Sequence, residues 1–170
     1  FSAVTLGSCI DADLSFAEQE LVDCEPQSNG CNGGFMDYAF EYLQKKGFCV
    51  ETEYPYTARD GSCQDSKCSA GPTDKSFTDI PAKNEDALLK ELANGPISVA
   101  VDASTWSFYA GGIMSSCGTG LNHGVTLVAV NFDEGSAKIR NSWGSSWGEA
   151  GHIRLKVGQD TCGYADVASY

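Results

Sequence analysis

The chain has 170 residues, 42% of them hydrophobic and 20% charged, with a formal net charge of −12. That surplus of negative charge argues against nucleic acid and against an anionic membrane surface as partners, and no apolar run is long enough to span a bilayer. Eight cysteines, none at C-x-x-C spacing, stand beside only two histidines, which favours disulfides in an oxidising compartment over a metal centre, so no metal or cofactor is expected.

Residues 1–10 read as the end of a helix weakened by Gly7 and finishing near Cys9. Ser15 with Glu18 has the form of a capping box, so a short helix is expected to run to about Asp23. In Cys31-Asn32-Gly33-Gly34 two glycines permit an unusual turn and close approach of another backbone. Met36, Ala39, Phe40 and Leu43 recur at i, i+3, i+4, i+7, an amphipathic helix that Gly47 ends. Residues 49 to 76 are loop-rich, with Tyr54-Pro55-Tyr56 and Asp60-Gly61 as turn signals.

From about residue 77 the character changes. Asn84 caps one more helix with Leu88, Leu89 and Leu92 on its apolar side, stopped by Asn94-Gly95-Pro96. The period then becomes two, in Ile97, Val99 and Val101 and again in Ile153, Leu155 and Val157. His123–Val130 and Ala137–Asn141 read as strands joined by Asp133-Glu134-Gly135. The expected architecture is α+β, a helical half over 1–76 and an antiparallel sheet or barrel over 77–170.

The stretch Asn141-Ser142-Trp143-Gly144-Ser145-Ser146-Trp147-Gly148 places one amide, two indoles and two glycines in eight residues. By itself it could be a β-turn with aromatic packing. His123, at the start of a strand eighteen residues earlier, gives it another meaning. A neutral imidazole needs a second group to fix its tautomer, and an Asn oxygen does so without adding charge while an indole excludes water. That is the support half of a nucleophile–His–Asn site.

Glu18-Gln19-Glu20-Leu21-Val22-Asp23-Cys24, Gly30-Cys31-Asn32-Gly33-Gly34, Asn122-His123-Gly124 and Asn141–Gly148 occur in an order and rough spacing that resembles the papain-like cysteine proteases. Gly34-Phe35-Met36-Asp37-Tyr38-Ala39-Phe40 brings the likeness closest to the cathepsin L-like branch. The resemblance covers essentially the whole chain. It implies a two-lobed fold, a helical left half and an antiparallel β-barrel right half with the active-site cleft between them. By resemblance His123 is the catalytic base, Asn141 the residue that orients it and Trp143 the indole over their hydrogen bond. Gly33 and Gly34 correspond to a backbone strip that pairs with extended substrate. Phe35, Met36, Ala100, Leu121, Gly124 and Val167 fall where the family builds its S2 pocket; Ala100 and Val167 could equally be plain core. His152 reads as structural or exposed.

The family nucleophile lies in C-G-S-C-W, a few residues before a Phe-Ser that looks like Phe1-Ser2, and the glutamine of the oxyanion hole lies further upstream. Gly7-Ser8-Cys9 mimics part of that motif, but no Trp follows Cys9 and its distance to Cys24 is about half the family separation. The expectation is therefore a papain-like endopeptidase fragment without its nucleophile, inactive alone, completed by an N-terminal segment or a second chain. The alternative is a non-catalytic homologue that binds peptides or inhibitors. The resemblance also implies peptide or protein substrates, a propeptide or cystatin-like inhibitor as partner, and a lysosomal, vacuolar or secreted setting. It assigns disulfides Cys24–Cys63 and Cys117–Cys162 and leaves Cys31 without its usual partner. Cys9, Cys49 and Cys68 carry no family assignment, and Cys9–Cys49 is a guessed bridge.

Overall fold

A computed structural model describes residues 15–69, 71–73 and 75–170. The helix end expected over 1–10 and Cys9 lie outside the described residues. The described chain forms two compact units, one up to Phe77 and one from Thr78 to Tyr170.

The first unit carries two helices, α1 (Glu18–Cys24) and α2 (Met36–Lys46). The expected Ser15 cap is not made. Ser15 O instead accepts the Glu51 N–H at 2.8 Å, Phe16 bridges Val50 and the Ala17 N–H reaches Cys49 O at 3.0 Å. Those three residues are extended, so α1 starts at Glu18 behind Ala17, with no side-chain cap. Its side chains support the loops. Gln19, buried, donates to Arg59 O at 2.8 Å and accepts the Thr57 N–H at 2.9 Å. Glu20, also buried, accepts the Cys49 N–H at 2.8 Å and the Tyr42 hydroxyl at 3.3 Å. α2 buries Met36, Phe40, Tyr42 and Leu43, and Gly47 ends it at φ 81° by donating its N–H to Leu43 O. Cys24 is bonded to Cys63 and Cys49 to Cys68. The guessed Cys9–Cys49 bridge is thus overturned. Cys68 takes Cys49 because the loop they close folds back locally, with Glu53 holding the Ser69 N–H and hydroxyl at 3.0 and 2.7 Å. Cys31 is free and exposed.

The second unit opens with α3 (Glu85–Glu91), where Asn84 Oδ1 accepts the Ala87 N–H at 3.0 Å. Six strands follow: β1 (Ile97–Val101), β2 (Ile113–Met114), β3 (His123–Asn131), β4 (Ser136–Arg140), β5 (His152–Lys156) and β6 (Ala168–Ser169). They form one sheet in the order β2-β5-β4-β3-β1-β6. The alternation read in the sequence sets its register. Ile97 faces Leu127, Leu127 faces Ile139 and Ile139 faces Ile153, a row across four strands whose members are all 0% exposed. A slip by one residue would turn any of these strands' apolar side chains to the opposite face. Leu88, Trp106 and Tyr164 join the same core. In place of a closed antiparallel barrel the structure has a six-stranded sheet. Its edge strands β2 and β6 are two residues long, β2 runs parallel to β5, and among the described residues no pairing joins the two edges. Cys117 is bonded to Cys162.

Candidate active site

The strand register delivers His123 and Asn141 to one end of the sheet. β3 and β4 are antiparallel with Thr126 opposite Arg140. His123 lies three residues before Thr126 and Asn141 one residue after Arg140, so both emerge at the same end of that ladder. His123 itself is paired with Val101 of β1, and Asn141 is anchored by its N–H to Gly151 O at 3.0 Å.

The two side chains meet. His123 Nε2 lies 2.8 Å from Asn141 Oδ1. Oδ1 also accepts the Ser142 N–H at 2.8 Å, which fixes the amide, since a flipped group would point an N–H₂ at that donor. An amide oxygen can only accept, so Nε2 carries the proton of this bond and Nδ1 is left with a lone pair. Asn141 is buried, and its Nδ2 has no partner among the described residues. Burial holds the His123 imidazolium below its ordinary pKa of 6.5, with the Asn141 bond opposing it.

Aromatic rings surround the pair. The Trp143 indole lies 5.2 Å from the His123 ring, tilted by 32°. Trp106, fully buried, presents an edge to the same ring at 6.1 Å and stacks on Trp147 at 5.9 Å. Each buried indole N–H finds a partner: Trp147 Nε1 donates to Trp106 O at 3.1 Å and Trp106 Nε1 to Cys162 Sγ at 3.4 Å. Gly148 permits the turn behind them. It sits at φ +53°, and a Cβ there would lie 2.6 Å from His152 O. Nothing in the sequence pointed to Trp106, which sits in Ser104–Tyr109, a stretch without periodicity; only tertiary contact reveals it.

The remaining candidates divide between the units. In the second, Gly124 pairs with Ala100, and the Ala100 N–H donates to Val167 O at 2.9 Å. Leu121, half-buried, abuts Gly163, where a Cβ would come 2.9 Å from Leu121 Cδ2. In the first, Gly33 has φ 104° and ψ 177° with open space at its would-be Cβ, and Gly34 is exposed. Phe35 is 60% exposed and meets Tyr38 edge-on at 5.6 Å, whereas Met36 is buried. His152 opens β5 with Nδ1 2.9 Å from Ala150 O, a structural position. Among the described residues no group of three or more His, Cys, Asp or Glu could hold a metal ion.

A family model described as papain family cysteine protease matches residues 2–170. Cathepsin L 2 of Paramecium tetraurelia is 52% identical over 163 residues, covering 95% of this chain and 51% of that protein. Vignain of Ricinus communis is 46% identical over 170 residues, covering 92% and 47%. The chain thus spans about half the length of the curated relatives it matches. Among solved structures, the Carica candamarcensis cysteine protease CMS1MS2 in complex with E-64 superposes with a TM-score of 0.89 at 35% identity, over 98% of this chain and 81% of that one. The ragweed pollen cysteine protease Amb a 11, in its proform, gives 0.86 at 34% identity, over 92% and 46%. The chain belongs to the papain family of cysteine proteases.

Proposed function

We propose that this chain carries the base half of a cysteine endopeptidase, with His123 as catalytic base and acid and Asn141 as its orienting partner. The observation that supports it most directly is the His123 Nε2–Asn141 Oδ1 bond beneath Trp143, which leaves Nδ1 as the proton-transferring atom. A cysteine thiolate supplied by a C-G-S-C-W segment attacks the peptide carbonyl carbon and forms a C–S bond. His123, as imidazolium, gives its Nδ1 proton to the leaving amine as the C–N bond breaks. Water then loses a proton to Nδ1 and adds to the thioester carbonyl, the C–S bond breaks, and the acid is released as the thiolate–imidazolium pair is restored. Ala100, Leu121, Gly124 and Val167 contribute an apolar wall that receives the substrate residue before the scissile one. Gly33 and Gly34, free of side chains, offer a backbone edge to extended substrate. A propeptide or cystatin-like inhibitor would use the same surfaces, and a lysosomal, vacuolar or secreted setting suits the three disulfides among the described residues.

The sequence holds no cysteine in C-G-S-C-W context, so a polypeptide of these 170 residues alone is inactive. The test is a fluorogenic peptide assay with a thiol-reactive epoxide as control. Turnover should appear when the nucleophile segment is supplied, should vanish with the epoxide and should fall roughly 10²–10⁴-fold in His123→Ala. Peptide binding without any such turnover favours the non-catalytic homologue instead.

A further inference from the structure

We infer that Asp102 is a positioning residue for the His123–Asn141 pair, one carboxylate tying together the backbone segments from which the histidine is presented. Asp102 directly follows β1 and is 7% exposed, an unusual place for a carboxylate. Its Oδ1 accepts the Ser104 N–H at 3.0 Å and Asn122 Nδ2 at 3.3 Å, and its Oδ2 accepts the Gly120 N–H at 3.1 Å. Asn122 returns the bonds. Its Oδ1 accepts the Ala103 N–H at 3.0 Å, its Nδ2 reaches Ser104 Oγ at 3.0 Å and its own N–H reaches Val101 O at 2.9 Å. Residues 102–104 and 120–122 are thereby closed into one knot, and the next residue is His123.

The knot also governs the ring beside the histidine. The Trp106 N–H bonds Ala103 O at 3.0 Å, so the indole that meets His123 edge-on stands on the same tied segment. The loop entering the knot lies against the carboxylate: a Cβ on Gly118 would fall 2.2 Å from Asp102 Oδ2. Hydrogen bonds, from Ser104 first, hold the Asp102 carboxyl below its ordinary range, so it stays an anion and an acceptor across the working pH of such enzymes. With neutral donors as its described partners, its role is geometric, setting where the imidazole points. This inference rests on His123 being the base of a thiol protease.

The test uses the protein with its nucleophile segment supplied and reads two quantities: steady-state kinetics and, after alkylation of the thiol has removed the thiolate and left the imidazole neutral, the imidazole tautomer by long-range ¹H–¹⁵N correlation, which is simple with two histidines in the sequence. Asp102→Ala should lower kcat by about 10–100-fold with KM nearly unchanged, and His123 should lose its single Nε2–H tautomer. Asp102→Asn keeps the shape and an acceptor for Ser104, so it should fall between the two. A folded Asp102→Ala with unaltered kcat and tautomer overturns the inference. If that variant does not fold, Asn122→Ala, which leaves the Ser104 and Gly120 bonds in place, is read by the same two measurements and the same criteria. Absence of epoxide-sensitive turnover in the unmutated protein instead overturns the protease reading, and the tautomer measurement still decides the role of Asp102.

Discussion

Asn141 Oδ1 serves two donors at once, His123 Nε2 and the Ser142 N–H, each at 2.8 Å. The backbone donor cannot rotate away, so it fixes the amide, and the amide in turn fixes the imidazole. Asn141→Ala removes that control and should lower kcat by up to about 10⁴-fold where the wrong tautomer dominates. His123→Ala should lower it by roughly 10²–10⁴-fold. KM should change little in both, since neither side chain is assigned to substrate binding. Steady-state kinetics on a fluorogenic peptide checks this, and a variant that raises KM while sparing kcat contradicts it.

The two indoles beside His123 should separate stability from catalysis. Trp106 is fully buried and stacked in the core, so Trp106→Ala should destabilise the fold by about 3–5 kcal/mol. Trp143 is 41% exposed, and its replacement by Ala should cost far less stability while opening the His123–Asn141 bond to water and lowering kcat. Denaturant melts read beside kinetics decide it; equal stability losses for the two variants would count against the division.

Specificity should follow the apolar character of Ala100, Leu121 and Val167. Burying a Leu or Phe side chain against them is worth roughly 1.5–3 kcal/mol, whereas an Arg there loses hydration without a partner. The complete enzyme should therefore favour Leu, Phe or Val over Arg at the residue before P1, and Val167→Glu should shift it toward Arg. Peptide-library profiling that found Arg equally good in the unmutated enzyme refutes the assignment.

The protonation of His123 gives a pH test. Burial lowers its pKa from 6.5 in the fold. The unfolded chain therefore binds a proton more readily, and this residue's contribution to stability, present above the unfolded value, is lost as pH falls through the folded one. Supplying a thiolate beside Nδ1 reverses the sign by favouring imidazolium. NMR titration should place the His123 midpoint below 6.5 in the chain alone and above that midpoint once the nucleophile segment is bound; an unmoved midpoint argues against a thiolate partner.

The Cys49–Cys68 bridge closes a sequence separation of 19. Replacing both residues with Ser should destabilise the first unit by about 3 kcal/mol, on the chain-entropy view of a loop this size. Urea unfolding measures it, and non-reducing peptide mapping should find Cys49 joined to Cys68.

Local patterns were enough to reveal most elements of this protein. The period of two in Ile97–Val101 and Ile153–Val157, the Asn84 cap and the Gly47 stop each act through neighbours a few residues away, and each has its counterpart in the structure. His123, Asn141 and Trp143 were legible because an imidazole, an amide and an indole in that order match a known motif. Three things were not legible. Ser15 forgoes its cap for a strand-like partner more than thirty residues away. Cys49 finds Cys68, a choice that spacing leaves open because many pairings satisfy the same count. Trp106 and Asp102 reach the site only through contacts closed by the β1–β3 register. Sequence determines what a short segment prefers, but which distant donor meets which acceptor is decided only when the buried Ile97–Leu127–Ile139–Ile153 row aligns the strands, because a one-residue slip would expose that row and carry His123 away from its partners.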